Sequence, residues 1–124
     1  MILYEELSEA VIGAAMEVHR QTGPGLLESA YQRFLCHELM LRKIAFESEV
    51  VLPVRYKGIT LDCGYRMDLV VEDKIVVEVK AVEVIHDIHE AQLLTYLKLS
   101  GKRVGLLINF CVPLLRNGIV RRVI

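Results

Sequence analysis

The chain has 124 residues, 53% of them hydrophobic and 25% charged, with a formal net charge of −1 at pH 7. That length suits a single domain, residues 1–124, with one sizeable core. No apolar run approaches the roughly 18 residues of a membrane span, and the near-neutral charge excludes a protein that coats nucleic acid through bulk electrostatics.

The opening "MILYEELSEAV" has acids where a secretion signal would be basic, so a cytoplasmic protein without a membrane partner is expected. "YEELSEAVIGAAMEVHRQTG" spaces Leu7, Val11, Ala14 and Val18 three and four apart, as a helix with one buried stripe does. Gly23-Pro24-Gly25 ends it. His19, just before that turn, reads as a solvated helix-end histidine. A second helix, "LESAYQRFLCHELMLRK", carries Ala30, Phe34, Leu35, Leu39 and Leu41 on or near its apolar side. Cys36, Cys63 and Cys111 form no CxxC pair and read as reduced, structural core residues.

From Phe46 the pattern becomes β-branched. "FESEVVLPVRY", "GITLDCGYRMDLVV" and "KIVVEVKA" are separated by turn signals at Lys57-Gly58 and at Glu72-Asp73-Lys74. "HDIHEAQLLTYLKLS" returns to helix and stops at Gly101. "RVGLLINF" is a short apolar strand of the kind found inside a covered sheet, and "GIVRRVI" a peripheral one. The order αα-βββ-α-β-β predicts a mixed central sheet flanked by helices, hence an α/β or α+β fold.

Three charges stand inside the apolar strands. With a three-residue turn at Glu72-Asp73-Lys74, Val71 faces Ile75, Val70 faces Val76, and Asp68 faces Glu78. Facing residues project to one side of the sheet, and Lys80, two past Glu78, joins them. A two-residue turn would send the acids to opposite faces. Opposed carboxylates in low dielectric repel, and a divalent cation removes the conflict, since Mg²⁺ or Mn²⁺ takes one or two carboxylates plus water and phosphate. A hairpin with outward-facing charges, Lys80 neutralising one acid, is the alternative.

On a helical wheel, Asp87, Glu90 and Lys98 of the next helix share a polar arc, opposite Ile88, Ala91, Thr95 and Leu99 as the buried side. Gln92 falls within that buried side, with Tyr96 one turn on. A buried glutamine needs partners: a water, a phosphate, or a strand carbonyl. His86 and His89 are three apart, but no third ligand has matching spacing, so zinc is not expected.

Asp68, then Glu78-Val79-Lys80, then Gln92 and Tyr96 resemble the PD-(D/E)xK nuclease pattern with the QxxxY helix of its RecB-like branch. Upstream, "GLLESAY" places Gly25, Glu28 and Tyr31 as in the small bacterial GxxExxY family of that superfamily. The similarity covers nearly the whole chain. Met67 stands where the name-giving motif has proline. The resemblance implies a restriction-endonuclease-like core. It also implies a site in which Asp68 and Glu78, with the Val79 carbonyl and Glu28, bind Mg²⁺ or Mn²⁺. Lys80 would orient the attacking water, and Gln92 and Tyr96 would shape the phosphate side. Without the family pattern, Glu28 is explained by the helix dipole and Tyr31 by packing on the first helix.

The resulting expectation is a metal-dependent nuclease, on DNA ahead of RNA, acting as a homodimer. Lys102, Arg103, Arg121 and Arg122 would steer the backbone, although arginines clustered near an end also suit a solvated strand edge. The alternatives are a non-cutting module of the same fold that binds nucleic acid or protein, and hydrolysis of a smaller phosphate ester.

Overall fold

The computed structural model describes residues 2–124. Two helices, α1 (Glu5–Thr22) and α2 (Glu28–Leu41), lead into five strands: β1 (Phe46–Val51), β2 (Val54–Tyr56), β3 (Ile59–Leu61), β4 (Arg66–Val71) and β5 (Ile75–Lys80). Then follow α3 (Asp87–Ser100), β6 (Val104–Asn109), a 3-10 turn at Leu115–Gly118 and β7 (Ile119–Val123). A five-stranded sheet runs β1-β4-β5-β6-β7, with only the β5–β6 pair parallel. The mixed sheet flanked by helices is the α/β architecture expected, and no described helix is long and apolar enough to cross a membrane.

Two of the three expected strands divide. Pro53, which has no amide to donate, follows β1, and β2–β3 form a separate hairpin in which Tyr56 pairs with Ile59. Its turn, Lys57-Gly58, takes positive φ at both positions, as a two-residue hairpin with the twist of its strands requires. The element order is therefore αα-βββββ-α-β-β. β7 is an edge strand, as expected.

The sheet is covered on both sides. Leu69, Val71, Ile75, Val77 and Ile108 pack against Val11, Ala14, Val18, Tyr31, Leu35 and Leu39 of α1 and α2. Val70, Val76 and Leu107 pack against Leu93, Tyr96 and Leu97 of α3. Gly105 allows α3 this close: a Cβ there would lie 2.7 Å from Leu93 Cδ1.

Several sequence expectations change here. In α2, Phe34 and Leu41 are exposed, and Tyr31 takes the buried stripe with Leu35 and Leu39. In α3, Ile88, Ala91, Thr95 and Leu99 face outward; Leu93, Tyr96 and Leu97 are buried instead. The helix carries apolar stripes on two sides, and only one meets the sheet. His19 is buried, its Nε2 2.8 Å from the Val112 carbonyl oxygen, because the segment after β6 folds over the end of α1. Of the three free cysteines, Cys36 is half-buried and packs against the α1–α2 core, Cys111 is half-buried, and Cys63 is exposed.

Candidate active site

The register of the β4–β5 hairpin is the one the three-residue turn predicts: Val71 opposite Ile75, Val70 opposite Val76, Leu69 opposite Val77. Glu72 and Asp73 adopt positive φ, the Lys74 amide closes the turn on the Val71 carbonyl at 3.0 Å, and Lys74 is the extra residue that sets the register. The backbone ladder stops at Leu69–Val77. One step further, side chains replace it. The Asp68 amide donates to Glu78 Oε2 at 2.8 Å, and the Val79 amide donates to Asp68 Oδ2 at 2.8 Å.

The cause lies in both neighbouring strands. Leu69 and Val71 pack toward α1 and α2, yet Met67 packs with the α3 side, so β4 breaks its alternation at Asp68. β1 breaks at the same level: Phe46 packs with the α1–α2 core, Val50 with the α3 side, and between them Glu49 has φ 53°. The β1–β4 pairs Ser48–Leu69 and Val50–Met67 flank this step. A local switch of face leaves the Asp68 and Val79 amides outside the ladder, and the carboxylates satisfy them.

Burial dominates the electrostatics. Glu78 is 4% exposed. Loss of solvent, then the neighbouring Asp68 charge, push its carboxyl up to about 8, against the opposing effects of the Asp68 amide and Lys80. Burial pushes Asp68 up to about 6, with the Val79 amide opposing it and Glu28 adding to it. Lys80 opposes the rise at both acids but forms an ion pair with neither. The ion pairs among the described residues are Arg20–Glu17, Arg42–Glu38, Lys102–Asp73 and Arg122–Glu90, and Lys80 joins none of them. The outward-facing, lysine-neutralised hairpin is therefore not what forms.

These residues fit a hard divalent cation that water and phosphate complete. Each acid commits one oxygen to a backbone amide, and no described protein donor bonds the other. An extended residue directs its N–H and C=O to the same edge, so the Val79 carbonyl points toward β4 as its amide does. Glu28, in the first turn of α2, is exposed; its charge acts on both acids. It is not gathered with them into a group of three or more metal-ligating side chains, and none forms among the described residues.

Gln92 Nε2 donates to Tyr96 Oη at 3.0 Å, and the two acids lie near enough to help push the Tyr96 phenol up, after burial as the main cause. Gln92 thus bonds the tyrosine rather than a strand carbonyl. Tyr31 is structural: its hydroxyl donates to the Gly23 carbonyl at 2.5 Å, accepts from the Leu26 amide at 3.0 Å, and its ring stacks on Phe110. That bracing spans Gly25, whose φ of 116° favours glycine, and sets the start of α2 and so of Glu28. His86 and His89 cap α3 reciprocally, with the His86 amide donating to His89 Nδ1 at 3.0 Å.

The four basic residues expected to steer a backbone stand elsewhere. Lys102 pairs with Asp73 at the hairpin turn, at the end of β5 opposite Lys80. Arg103 Nε donates to the Ile124 carbonyl, Arg121 bonds Ser8 and the Leu3 carbonyl, and Arg122 pairs with Glu90. β7, which carries the last two, is two strands away from β5.

Three residues escaped the sequence reading. Gln32 Nε2 bonds Glu49 Oε1 at 3.0 Å and the Asp68 carbonyl at 3.3 Å. Its place one helical turn after Glu28 was the available signal. Glu49 had none, since alternation in "FESEVV" treats it as an ordinary strand position. Asn109 is 1% exposed: it accepts from the Val82 and Cys111 amides and donates to the Val82 carbonyl. A polar residue ending an apolar strand was its signal. With the Phe110 amide on the Lys80 carbonyl, Asn109 clamps the chain that follows Lys80. A cleft of about 520 Å³ between α2 and β1, lined by Gln32, Arg33, His37 and Glu49, opens beside the acids.

The family model of the PD-(D/E)XK nuclease superfamily matches residues 5–123. Comparison with the curated proteins and with the solved structures found no match.

Proposed function

This chain belongs to the PD-(D/E)XK nuclease superfamily, and from that premise we propose that it hydrolyses phosphodiester bonds of nucleic acid, DNA ahead of RNA, with Mg²⁺ or Mn²⁺ at Asp68 and Glu78. The observation that carries this reading is a pair of largely buried acids, hydrogen-bonded into each other's strands, with which no basic side chain among the described residues forms an ion pair.

Asp68 and Glu78 hold the cation through the oxygens not used for backbone amides, with the Val79 carbonyl and Glu28 as further donors. When bound, that ion acidifies a water and offsets charge on the scissile phosphate. Lys80 orients the attacking water and stabilises charge developing on the phosphate. The Gln92 amide and Tyr96 hydroxyl bond the phosphate oxygens. Arg33 and His37, in the cleft beside Gln32, receive the strand on the α2 side.

We place this activity in the cytoplasm, where the three cysteines stay reduced. Sedimentation of the free protein tests the expected homodimer. The apolar side chains it would cover, Leu27 just before α2 and Phe34 and Leu41 on it, are exposed and spaced seven apart.

The testing experiment is a melting-temperature titration with Mn²⁺ and Mg²⁺ on wild type, Asp68→Asn and Glu78→Gln. A ligand that binds only the folded state stabilises it by about 1.4 kcal/mol per tenfold excess over its dissociation constant. The wild type should rise with metal and the variants should not, while the metal-free variants melt at or above the wild type. No metal response, with variants that melt lower, would make the acids structural and remove the hydrolytic reading. A metal response without cleavage of any oligonucleotide would favour the non-cutting module.

A further inference from the structure

The outer face of α3 exposes the stripe that its periodicity assigns to a core. Ile88 is 70% exposed and Leu99 42%. With Ala91 and Thr95 they form one wall of a groove of about 260 Å³ whose other wall is Val54 and Tyr65. Gln92 and Tyr96 line the same groove. It therefore adjoins the acid pair through Tyr96, whose phenol is pushed up by burial first, then by Glu78, and less by Asp68 and Tyr65.

The surroundings carry more bases than acids. Arg55 and Lys57 lie on the β2–β3 hairpin and Arg66 opens β4, all exposed, with Asp62 the one acid of that stretch; on α3, exposed Asp87 adjoins Ile88 and exposed Lys98 adjoins Leu99, while Glu90 is paired with Arg122. Arg66 precedes Asp68 by two residues, about 7 Å along the strand. Tyr56, on the same hairpin, is 64% exposed, with the Lys57 ammonium 5.4 Å from its ring centroid. A chain of net charge −1 thus gathers three bases and two exposed tyrosines within residues 55–66, next to the groove that Tyr96 lines. Aromatic faces set in positive charge are what single strands bind, since every base offers a π-face while phosphates need cations. Paired bases in a duplex are not free to enter such a groove.

We propose that the groove between Tyr65 and the outer face of α3 is a stacking site for one unpaired nucleobase, flanked by phosphate contacts from Arg55, Lys57 and Arg66. This rests on the hydrolytic reading of the acid pair and narrows it: the strand presented to Asp68 and Glu78 is single, or locally unpaired. A groove smaller than the 300–1,000 Å³ usual for ligand pockets takes one flat ring. A protein segment laid along α3 is opposed by the basic rim, which has no such demand for an apolar partner but matches a polyanion.

The test is fluorescence anisotropy in the non-cleaving Glu78→Gln background at one fixed salt concentration. A labelled thymidine oligonucleotide is compared with a duplex of equal length and with a uridine oligoribonucleotide. The single strands should bind more tightly than the duplex. Tyr65→Ala should weaken both single strands by about fivefold or more, leave duplex binding unchanged, and so abolish the preference, whereas Tyr65→Phe keeps it. An equal loss for duplex and single strand, or no loss, overturns the proposal. So does a dimer that Tyr65→Ala converts to monomer, which would make the groove a self-interface. Tyr65→Ala is also made with Glu78 intact, where an unchanged metal-induced melting rise reports a folded site. Absence of that rise in wild type sinks the hydrolytic reading, whereas its presence with unaltered single-strand affinity sinks only the stacking site.

Discussion

Asp68 and Glu78 each complete the other's strand: the Asp68 amide donates to Glu78, and Asp68 accepts the amide that follows Glu78, both at 2.8 Å. The linkage holds two acids together where burial favours their protonated forms. Their carboxyls move from ordinary values of 3.8 and 4.5 to about 6 and about 8. A folded value above the unfolded one means that the contribution is fully present below the unfolded value and lost as pH rises through the folded value. Metal-free wild type should therefore lose stability between about pH 4 and pH 8, on the order of a few kcal/mol. Glu78→Gln should flatten that fall and exceed wild type at the alkaline end. Urea unfolding in chelator measures both. A wild type whose stability is flat or rising over this window would contradict the account.

Lys80 is half-buried and joins no ion pair among the described residues. Lys80→Met should leave stability within about 1 kcal/mol and keep the metal-induced melting rise. Oligonucleotide cleavage should fall by about a hundredfold or more, the scale of a lost proton-handling group. A variant that unfolds early and cleaves in proportion to its folded fraction would show the lysine to be structural.

Asn109 makes three hydrogen bonds to backbone groups of Val82 and Cys111. Asn109→Ala strands those groups and should cost about 2 kcal/mol or more, read as a lower denaturation midpoint. Because the clamp follows Lys80 directly, hydrogen exchange at residues 81–86 should quicken beyond the global change. Uniform acceleration would mean that the clamp has no local role.

Tyr31→Phe removes the bonds to Gly23 and Leu26 but keeps the ring stacked on Phe110 at 4.5 Å. A loss of about 1–2 kcal/mol is expected, against about 3–5 kcal/mol for Tyr31→Ala, which also empties the core. Because this tyrosine braces the turn without touching the acids, the metal-induced melting rise should persist in Tyr31→Phe. Loss of that rise at unchanged stability would bring Tyr31 into the site itself.

The register of the β4–β5 hairpin, from Val71–Ile75 to Leu69–Val77, was legible because it depends on a three-residue turn and on strand geometry, both local. Gln92 and Tyr96 were legible because i and i+4 on a helix are neighbours wherever the helix docks. The sequence by itself determined these short-range relations, the alternation of helix and strand, and the motif that links them. Tertiary structure alone decided which of two apolar stripes on α3 meets the sheet, leaving Ile88 and Leu99 outside. It also decided that β1 and β4 switch face together at Glu49 and Asp68, that His19 is buried beneath the Val112 segment, and that Asn109 closes on Val82. Each of those depends on a partner tens of residues away. Periodicity reports how side chains are arranged around one element, but which face loses its water depends on the element that arrives to cover it.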